Sequence, residues 1–283
     1  MSRLATVLGR LWRDDKLSLF GVLLLTALLL LGIFGSYLPI GDPVKIAAGS
    51  RLSPPSLRFP FGTDELGRSF LPRVVEGIRA TFLLSSVAVV ITAVAGTLLG
   101  MLAGYFKGAP DQLVARGADI LFAFPALLLG LLVAAVLGPG LIPAILVISF
   151  ATLPLFIRVV RSVTFTVAGR GFVTAAEVAG ASPLRIMLVH LLPNIIGAVV
   201  VQLTYALSIG MIIESALSFL GLGVQPPQSS LGSLVQQGSA YLTIAPWLVI
   251  SSGAVLSAAI MSVNLVGDAI RDALEPLAGR SLT

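Results

Sequence analysis

The chain has 283 residues, of which 57% are hydrophobic and only 11% are charged, whereas soluble domains carry about 25% charged residues. Because a soluble fold cannot bury that much apolar surface, this composition excludes an ordinary globular enzyme. The formal charge of +5 comes from basic residues scattered between apolar runs, which indicates a membrane protein rather than a nucleic-acid-binding one. The absence of cysteine excludes disulfides and thiol catalysis, and the single histidine, His190, excludes a multi-histidine metal cluster. ATP-binding proteins often hold phosphate in a glycine-rich loop that ends in Lys-Ser or Lys-Thr. None of the three lysines precedes Ser or Thr, so the chain lacks such a loop.

Six apolar stretches are long enough to cross a membrane core of ~30 Å, which takes about 20 helical residues. The first carries no charge and has no cleavage site after it, so we interpret it as a retained helix rather than a signal peptide. The predicted spans are residues 17–38, 80–106, 117–137, 141–157, 194–215 and 245–267. The sequence therefore predicts an all-α polytopic membrane protein with six transmembrane helices and both termini on one side.

The distribution of Lys and Arg predicts which side of the membrane holds the two termini. Twelve of these residues lie in segments on the same side as the termini, and six lie between the first two spans. The six are partly balanced by four carboxylates, namely Asp42, Asp64, Glu65 and Glu76. Since cytoplasmic loops are enriched in Lys and Arg, we expect both termini to be cytoplasmic.

The second span carries Gly96, Gly100 and Gly104 at four-residue spacing. Helices in a membrane associate through close packing, and small residues on one face let a second backbone approach. The glycines therefore predict a helix-packing face, directed either at another helix of this chain or at a partner. Packing within this chain is the favoured alternative.

The segment between the fourth and fifth spans predicts two short helices. We call residues 172–193 the elbow. Its first helix should run over residues 172–179 and end at Gly180, and the second should start with Ser182 as N-cap and Pro183 at its first position. The apolar residues of the second helix fit one buried face, with Pro193 expected to break the helix before the next span; they are Leu184, Met187, Leu188, Leu191 and Leu192.

Several polar residues admit two interpretations each. In the fifth span, Gln202, Tyr205 and Ser208 either edge a translocation path or bond neighbouring helices, since intramembrane polar groups usually face the bundle interior. Asp119 and Glu214 lie near the ends of their spans and fit interfacial or packing charges better than a proton relay. Two segments, residues 62–76 and the uncharged residues 221–243, could cap the bundle; the family resemblance described next implies instead that they face an extracellular solute-binding protein.

The elbow and several other segments resemble the permease subunits of ABC importers with the type I fold. The resemblance is strongest to the C-type permeases of the dipeptide, oligopeptide and nickel uptake group, and it extends over nearly the whole chain. The elbow sequence from Thr174 to Gly180, with the Leu-Leu-Pro triplet at 191–193, is similar to the EAA loop of that family. Other matching segments lie at residues 61–68, 102–106, 214–227, 245–247 and 264–272.

This resemblance implies an importer that translocates a dipeptide or oligopeptide, with a nickel chelate, an opine or a glycoside as alternative cargo. It implies a homologous B-type permease, two cytoplasmic ATPase subunits and an extracytoplasmic solute-binding protein as partners, in a bacterial cytoplasmic membrane. ATP and Mg would bind to the ATPases, with no cofactor in this chain. The implied domains are residues 1–79, a permease domain at 80–272, and a tail at 273–283.

In the resemblance, the elbow is the ATPase-coupling loop. Its first helix would dock in a cleft of the ATPase through a ridge of small residues. The implied coupling residues are Thr174, Ala175, Ala176, Glu177, Ala179, Gly180, Ser182 and Pro183. The family loop usually opens with an acidic residue where this chain has Thr174, so the resemblance does not imply a salt bridge there.

Two other function classes are much weaker. Ser182 and His190 could be a nucleophile and its base in an intramembrane hydrolase, but no acid or oxyanion-hole sequence accompanies them and Ser182 is better used as a helix cap. A passive channel would need a selectivity sequence, and none is visible. Co-purification with an ATPase pair would discriminate the three classes.

Overall fold

The structure is a computed structural model that describes residues 16–274. Those residues form nine α-helices, one short 3₁₀ helix, Gly35–Tyr37, and no β-strand. The helices are α1 (Lys16–Phe34), α2 (Phe70–Phe106), α3 (Gly108–Phe122), α4 (Ala126–Leu137), α5 (Leu141–Ala168), α6 (Gly171–Val178), α7 (Pro183–Phe219), α8 (Leu231–Ser239) and α9 (Pro246–Leu274). Residues 275–283 of the predicted tail, and Arg3, Arg10 and Arg13 near the N-terminus, lie outside the described residues.

The helices α1, α2, α5, α7 and α9 are each long and apolar enough to cross a membrane, and α3 with α4 supplies a sixth, broken crossing. The fold class predicted from the sequence is therefore confirmed. The prediction of one straight third span over residues 117–137 is wrong, because α3 and α4 meet at 85°. The bend falls at Pro125, whose backbone is extended and which precedes the first residue of α4. Proline cannot donate the helical hydrogen bond and disfavours helical geometry at the residue before it.

Several helices extend further than hydropathy predicts, and on α5 the charged residues in the added turns have partners. The helix α2 begins at Phe70 rather than at residue 80, α5 continues to Ala168 rather than 157, and α9 reaches Leu274 rather than 267. On α5, the Arg158 guanidinium lies 2.7 Å from the Asp119 carboxylate, and Arg161 binds both carboxylate oxygens of Asp111. These arginines therefore belong to helix α5 and not to the loop after the fourth predicted span.

The most extensive helix contact in the bundle joins α2 to α5. A Cβ atom at Gly96, Gly100 or Gly104 would lie 2.7 Å from an atom of α5. The atoms that it would meet belong to residues at matching four-residue spacing, which are Phe156, Val160 and Thr164, together with the Arg161 carbonyl. The glycine face thus packs inside this chain, as the favoured alternative predicted.

The bundle has two ends that differ in structure. At the end that we call the cap end, residues 38–69 and 220–245 cover the helices, and the Gly140 N–H donates to the Leu222 carbonyl across it. The opposite end carries the elbow and both ends of the described chain, since Gly21 on α1 contacts Leu265 on α9.

Candidate functional site

The first elbow helix, α6, is a short surface helix with a well-defined end. It spans Gly171–Val178, one residue earlier than predicted, and Val173 anchors it as its one buried residue. Two hydrogen bonds close it, from the Gly180 N–H to the Glu177 carbonyl and from the Ala181 N–H to the Ala176 carbonyl. This is a Schellman motif, which needs a left-handed residue, and Gly180 has φ +78°.

The small residues of α6 that the sequence singled out lie on the surface. Thr174, Ala175, Ala179 and Gly180 are exposed, whereas Ala176 is half-buried and packs against the core around α2, α5 and α7. Beside them, Val178 is 85% exposed, although the exposure of an apolar side chain to water is unfavourable. Sequence reasoning missed Val178, even though it lies three residues after Ala175 and so on the same helical face.

The second elbow helix begins as predicted but does not end. The Ser182 hydroxyl accepts a hydrogen bond from the Arg185 N–H, and Pro183 is the first helical residue. Residues Ile186–Leu191 then form a π-helical segment, and the chain continues as a helix to Phe219. The prediction that Pro193 breaks the helix is therefore wrong.

The π-helical segment also changes which residues are buried. Its wider turn shifts the hydrogen-bond register, with the Leu192 N–H donating to the Met187 carbonyl, and so accommodates Pro193 without a break. Ile186 and Leu191, five residues apart, are almost completely buried. Leu184 and Leu188, expected on the buried face by a 3.6-residue period, are 63% and 47% exposed.

A side-chain hydrogen bond ties α6 to the end of α2. The Tyr105 hydroxyl donates to the Glu177 carboxylate at 3.0 Å. Glu177, one of the predicted coupling residues, therefore has a partner within the chain. Sequence reasoning could not find this pair, because its members are 72 residues apart.

The catalytic alternative finds no support in the geometry. The Ser182 hydroxyl serves as the helix cap, and no hydrogen bond joins its side chain to that of His190 in the described part of the chain. Within residues 16–274 there is also no group of three His, Cys, Asp or Glu residues that could hold a metal ion.

The structure separates the three polar residues of the fifth span. Gln202 and Tyr205 line a cleft of about 370 Å³ between α5, α7 and α9. Ser208 does not line the cleft; it is buried, and its hydroxyl donates to the Thr204 carbonyl on its own helix. The cleft also contains polar residues of α9 that the sequence analysis did not consider, namely Asn264, Asp268 and Arg271.

Glu214, near the cap end of α7, is completely buried. Its carboxylate accepts hydrogen bonds from Ser218 at 2.7 Å and from Ser215 at 3.4 Å. The cap-end helix α8 packs against the same stretch of α7, since a Cβ at Gly232 would lie 2.3 Å from the Ser215 carbonyl oxygen. Glu214 thus lies where α7 and α8 pack together, which is the packing alternative.

At the cap end, two of the six arginines and lysines that disturbed the charge distribution are buried in an ion cluster. The Asp64 carboxylate accepts from Arg68 at 2.6 Å and from Arg73 at 2.7 Å. The Asp64 side chain is 1% exposed and that of Arg73 is 2% exposed. Glu65 adds a second carboxylate 3.4 Å from Arg68, so the two arginines and the two carboxylates balance each other and weigh little in the topology.

Comparisons with known proteins agree with this architecture. The family described as "Binding-protein-dependent transport system inner membrane component" matches residues 96–280. The chain is 38% identical to a di/tripeptide transport system permease protein DppC of Pseudomonas aeruginosa, which it matches over 93% of its own length and 88% of that protein's. It is 35% identical to a probable D,D-dipeptide transport system permease protein DdpC of Escherichia coli (94% and 90%) and 36% identical to a glutathione transport system permease protein GsiD of Escherichia coli (94% and 88%).

The fold also resembles a solved structure of the MetNI methionine ABC transporter in an inward-facing conformation. The TM-score is 0.62 at 19% sequence identity, and the match covers 72% of this chain and 98% of that one. A second crystal form gives a TM-score of 0.60. These matches confirm the type I ABC importer permease fold, in which this subunit spans the inner membrane and works with an ATPase and a substrate-binding protein. The chain therefore belongs to the family of binding-protein-dependent transport system inner membrane components.

Proposed function

We propose that this permease translocates a dipeptide or oligopeptide across the bacterial cytoplasmic membrane. The support is the three relatives above, each of which is named for the transport of a di- or tripeptide, a D,D-dipeptide or glutathione. All three match this chain over more than nine-tenths of its length. A nickel chelate, an opine or a glycoside is the alternative cargo.

The transport step is driven through the elbow, and one observation carries this part of the proposal. The helix α6 presents exposed small and apolar side chains at one end of the bundle, with Ala175, Val178 and Ala179 on its surface. The helix is attached to the bundle by the buried Val173 side chain and by the hydrogen bond from Tyr105 to Glu177. A short surface helix of this kind fits into a cleft of a partner ATPase, because its small side chains let the ATPase approach the helix backbone closely.

The partners are a homologous B-type permease, two cytoplasmic ATPases and an extracytoplasmic solute-binding protein. ATP and Mg bind to the ATPases, and this chain needs no cofactor. The elbow end is cytoplasmic, together with both termini. This orientation is supported by the excess of Lys and Arg on that side, and by the pairing of Arg68 and Arg73 with Asp64 on the other.

The docking proposal is tested by introducing a large side chain on the exposed face of α6 without disturbing the fold of that helix. Gly180 is unsuited to this purpose, because any side chain there is strained by the positive φ. We therefore choose Ala175→Trp, which adds a large side chain at an exposed helical position. The matched control is Ala109→Trp, exposed in the first turn of α3 at the same end of the bundle.

The measurement is ATP hydrolysis by the complete complex in proteoliposomes, stimulated by the loaded solute-binding protein. We expect Ala175→Trp to lower stimulated hydrolysis by about tenfold or more, because about 1.4 kcal/mol of lost docking energy corresponds to a factor of ten. Ala109→Trp should behave like the wild type. If both variants hydrolyse ATP and take up substrate normally, α6 does not dock the ATPase.

The cargo is tested separately, so that its failure leaves the docking proposal intact. Uptake of a radiolabelled dipeptide into the same proteoliposomes should be saturable and should be competed by unlabelled dipeptides. Competition by a nickel chelate or a glycoside, with no effect of dipeptides, would replace the peptide assignment.

A further inference from the structure

Two adjoining cavities lie between α1 and α2 at the cap end, away from the cleft at Gln202. The upper one has a volume of about 580 Å³ and is lined by the residues that follow α1 and by the start of α2. The lower one, of about 380 Å³, is an apolar groove between the two helices. Gly32 and Arg79 line both cavities, so the two form one continuous site.

The depth of this site follows from the apolar stretch of α1. That stretch follows the charged Lys16, and its 18 residues from Leu17 to Phe34 rise about 1.5 Å each, or about 27 Å in all, which is close to the ~30 Å thickness of the hydrocarbon core. The membrane boundary at the cap end therefore lies near Phe34. Since a Cβ at Gly32 would lie 3.5 Å from the Arg79 Cα atom, Arg79 is at the level of the lipid headgroups.

The lower groove is open on the outer surface of the helices of this chain. Its walls include Leu29, Ile33, Leu83 and Val87, all of them exposed on the surface of the bundle. Ser86 is its one uncharged polar side chain. Such a surface matches an acyl chain, which lies parallel to the helices at this depth.

The upper cavity carries charges of both signs. Arg79 is exposed and forms no ion pair in the described part of the chain. Asp42 and Glu76 line the same cavity; the first accepts one hydrogen bond from the Val44 N–H and the second accepts one from Ser229. One cation beside two carboxylates complements a headgroup that contains both a phosphate and an ammonium.

We propose that the cavities between α1 and α2 bind one zwitterionic phospholipid of the phosphatidylethanolamine type. Its phosphate contacts Arg79, its ammonium contacts Asp42 and Glu76, and one acyl chain lies in the groove below. An anionic phospholipid satisfies Arg79 but brings no cation to the two carboxylates, so the site selects against it. This assignment is independent of which substrate the importer carries.

The test uses the complete importer complex in nanodiscs that contain equal amounts of phosphatidylethanolamine and phosphatidylglycerol. After transfer to detergent, native mass spectrometry counts the retained lipids. The wild type should retain phosphatidylethanolamine selectively. Arg79→Gln should lower this retention by about tenfold, the loss expected for a charge-assisted hydrogen bond. The control Arg58→Gln removes an exposed arginine at the same end that does not line the site.

A second pair of variants tests the groove, and a double variant tests the headgroup preference. Ser86→Phe fills the groove and should also abolish retention, whereas Val94→Phe, exposed on the same helix outside the groove, should not. Replacing Asp42 with Asn and Glu76 with Gln should shift the preference to phosphatidylglycerol.

Three outcomes would overturn the proposal. One is equal retention of both lipids by the wild type, and another is retention that Arg79→Gln leaves unchanged. The third is a crosslink between residue 83 and another subunit, because a protein partner would then occupy the groove.

Discussion

The ion cluster around Asp64 makes a quantitative prediction about the cap end. Its carboxylate binds the Arg68 and Arg73 side chains at 2.6 and 2.7 Å, and it accepts the N–H groups of Leu66 and Arg68, both at 2.9 Å. Asp64→Asn keeps the shape of the side chain but removes the charge. Arg73, 2% exposed, then remains buried with no carboxylate bound to it.

Breaking a buried ion pair by removing one partner typically costs 3–5 kcal/mol. We expect Asp64→Asn to lower the free energy of unfolding of the cap end by about that amount. Glu65→Gln is the matched control, because Glu65 reaches Arg68 at only 3.4 Å and its side chain is 22% exposed. A partly exposed pair is worth about 0–1 kcal/mol.

Trp247 provides the assay, since it packs against Gly62 next to this cluster: a Cβ at Gly62 would lie 2.6 Å from the indole nitrogen. In a Trp12→Phe background its fluorescence reports urea unfolding of the cap end in detergent. A loss for Asp64→Asn no larger than that for Glu65→Gln would refute the reasoning. Adding Arg73→Met to Asp64→Asn should recover part of the loss, because it removes the uncompensated charge.

Two further predictions concern the helix contacts. Gly100→Ala should destabilise the bundle by about 1–3 kcal/mol, since the new Cβ would lie 2.7 Å from Val160; Gly117→Ala, with nothing within 4 Å, should be neutral or stabilising in a thermal melt. Tyr105→Phe removes the hydrogen bond to Glu177, worth about 1 kcal/mol, and should speed amide hydrogen exchange in α6 about fivefold. Unchanged exchange would show that this bond does not hold the helix.

Local sequence signals predicted much of the fold. The six apolar stretches correspond to the crossings, because a membrane requires each segment to satisfy its own backbone groups. The glycine spacing on α2 predicted close helix packing, and Gly180 and Ser182 predicted the end of one elbow helix and the start of the next. Each of these signals acts within a few residues of its effect.

The features that sequence reasoning missed depend on contacts between distant residues or on unusual hydrogen bonding. Pro125 is visible in the sequence, but a proline only interrupts the helix and does not set the angle of 85° between the two halves. The π-helical segment has a period that a 3.6-residue pattern cannot represent, so Leu184 and Leu188 were assigned to the wrong face. The burial of Arg73 was hidden because hydropathy treats a paired arginine like a free one.

The attachment of α6 decides how a force on the elbow would spread through the bundle. Because α7 continues through Pro193 without a break, a displacement of the Ser182 turn acts on the whole length of α7. The Tyr105 hydrogen bond gives a second connection, to the elbow end of α2, and Val173 packs with core residues of α5 and α7. Since α2 and α5 are locked together by the glycine face, a load on α6 would act on the three long helices α2, α5 and α7 together. A hinge at Pro193 would instead have absorbed the motion locally, so the π-helical segment is the feature that makes the elbow suitable as a lever.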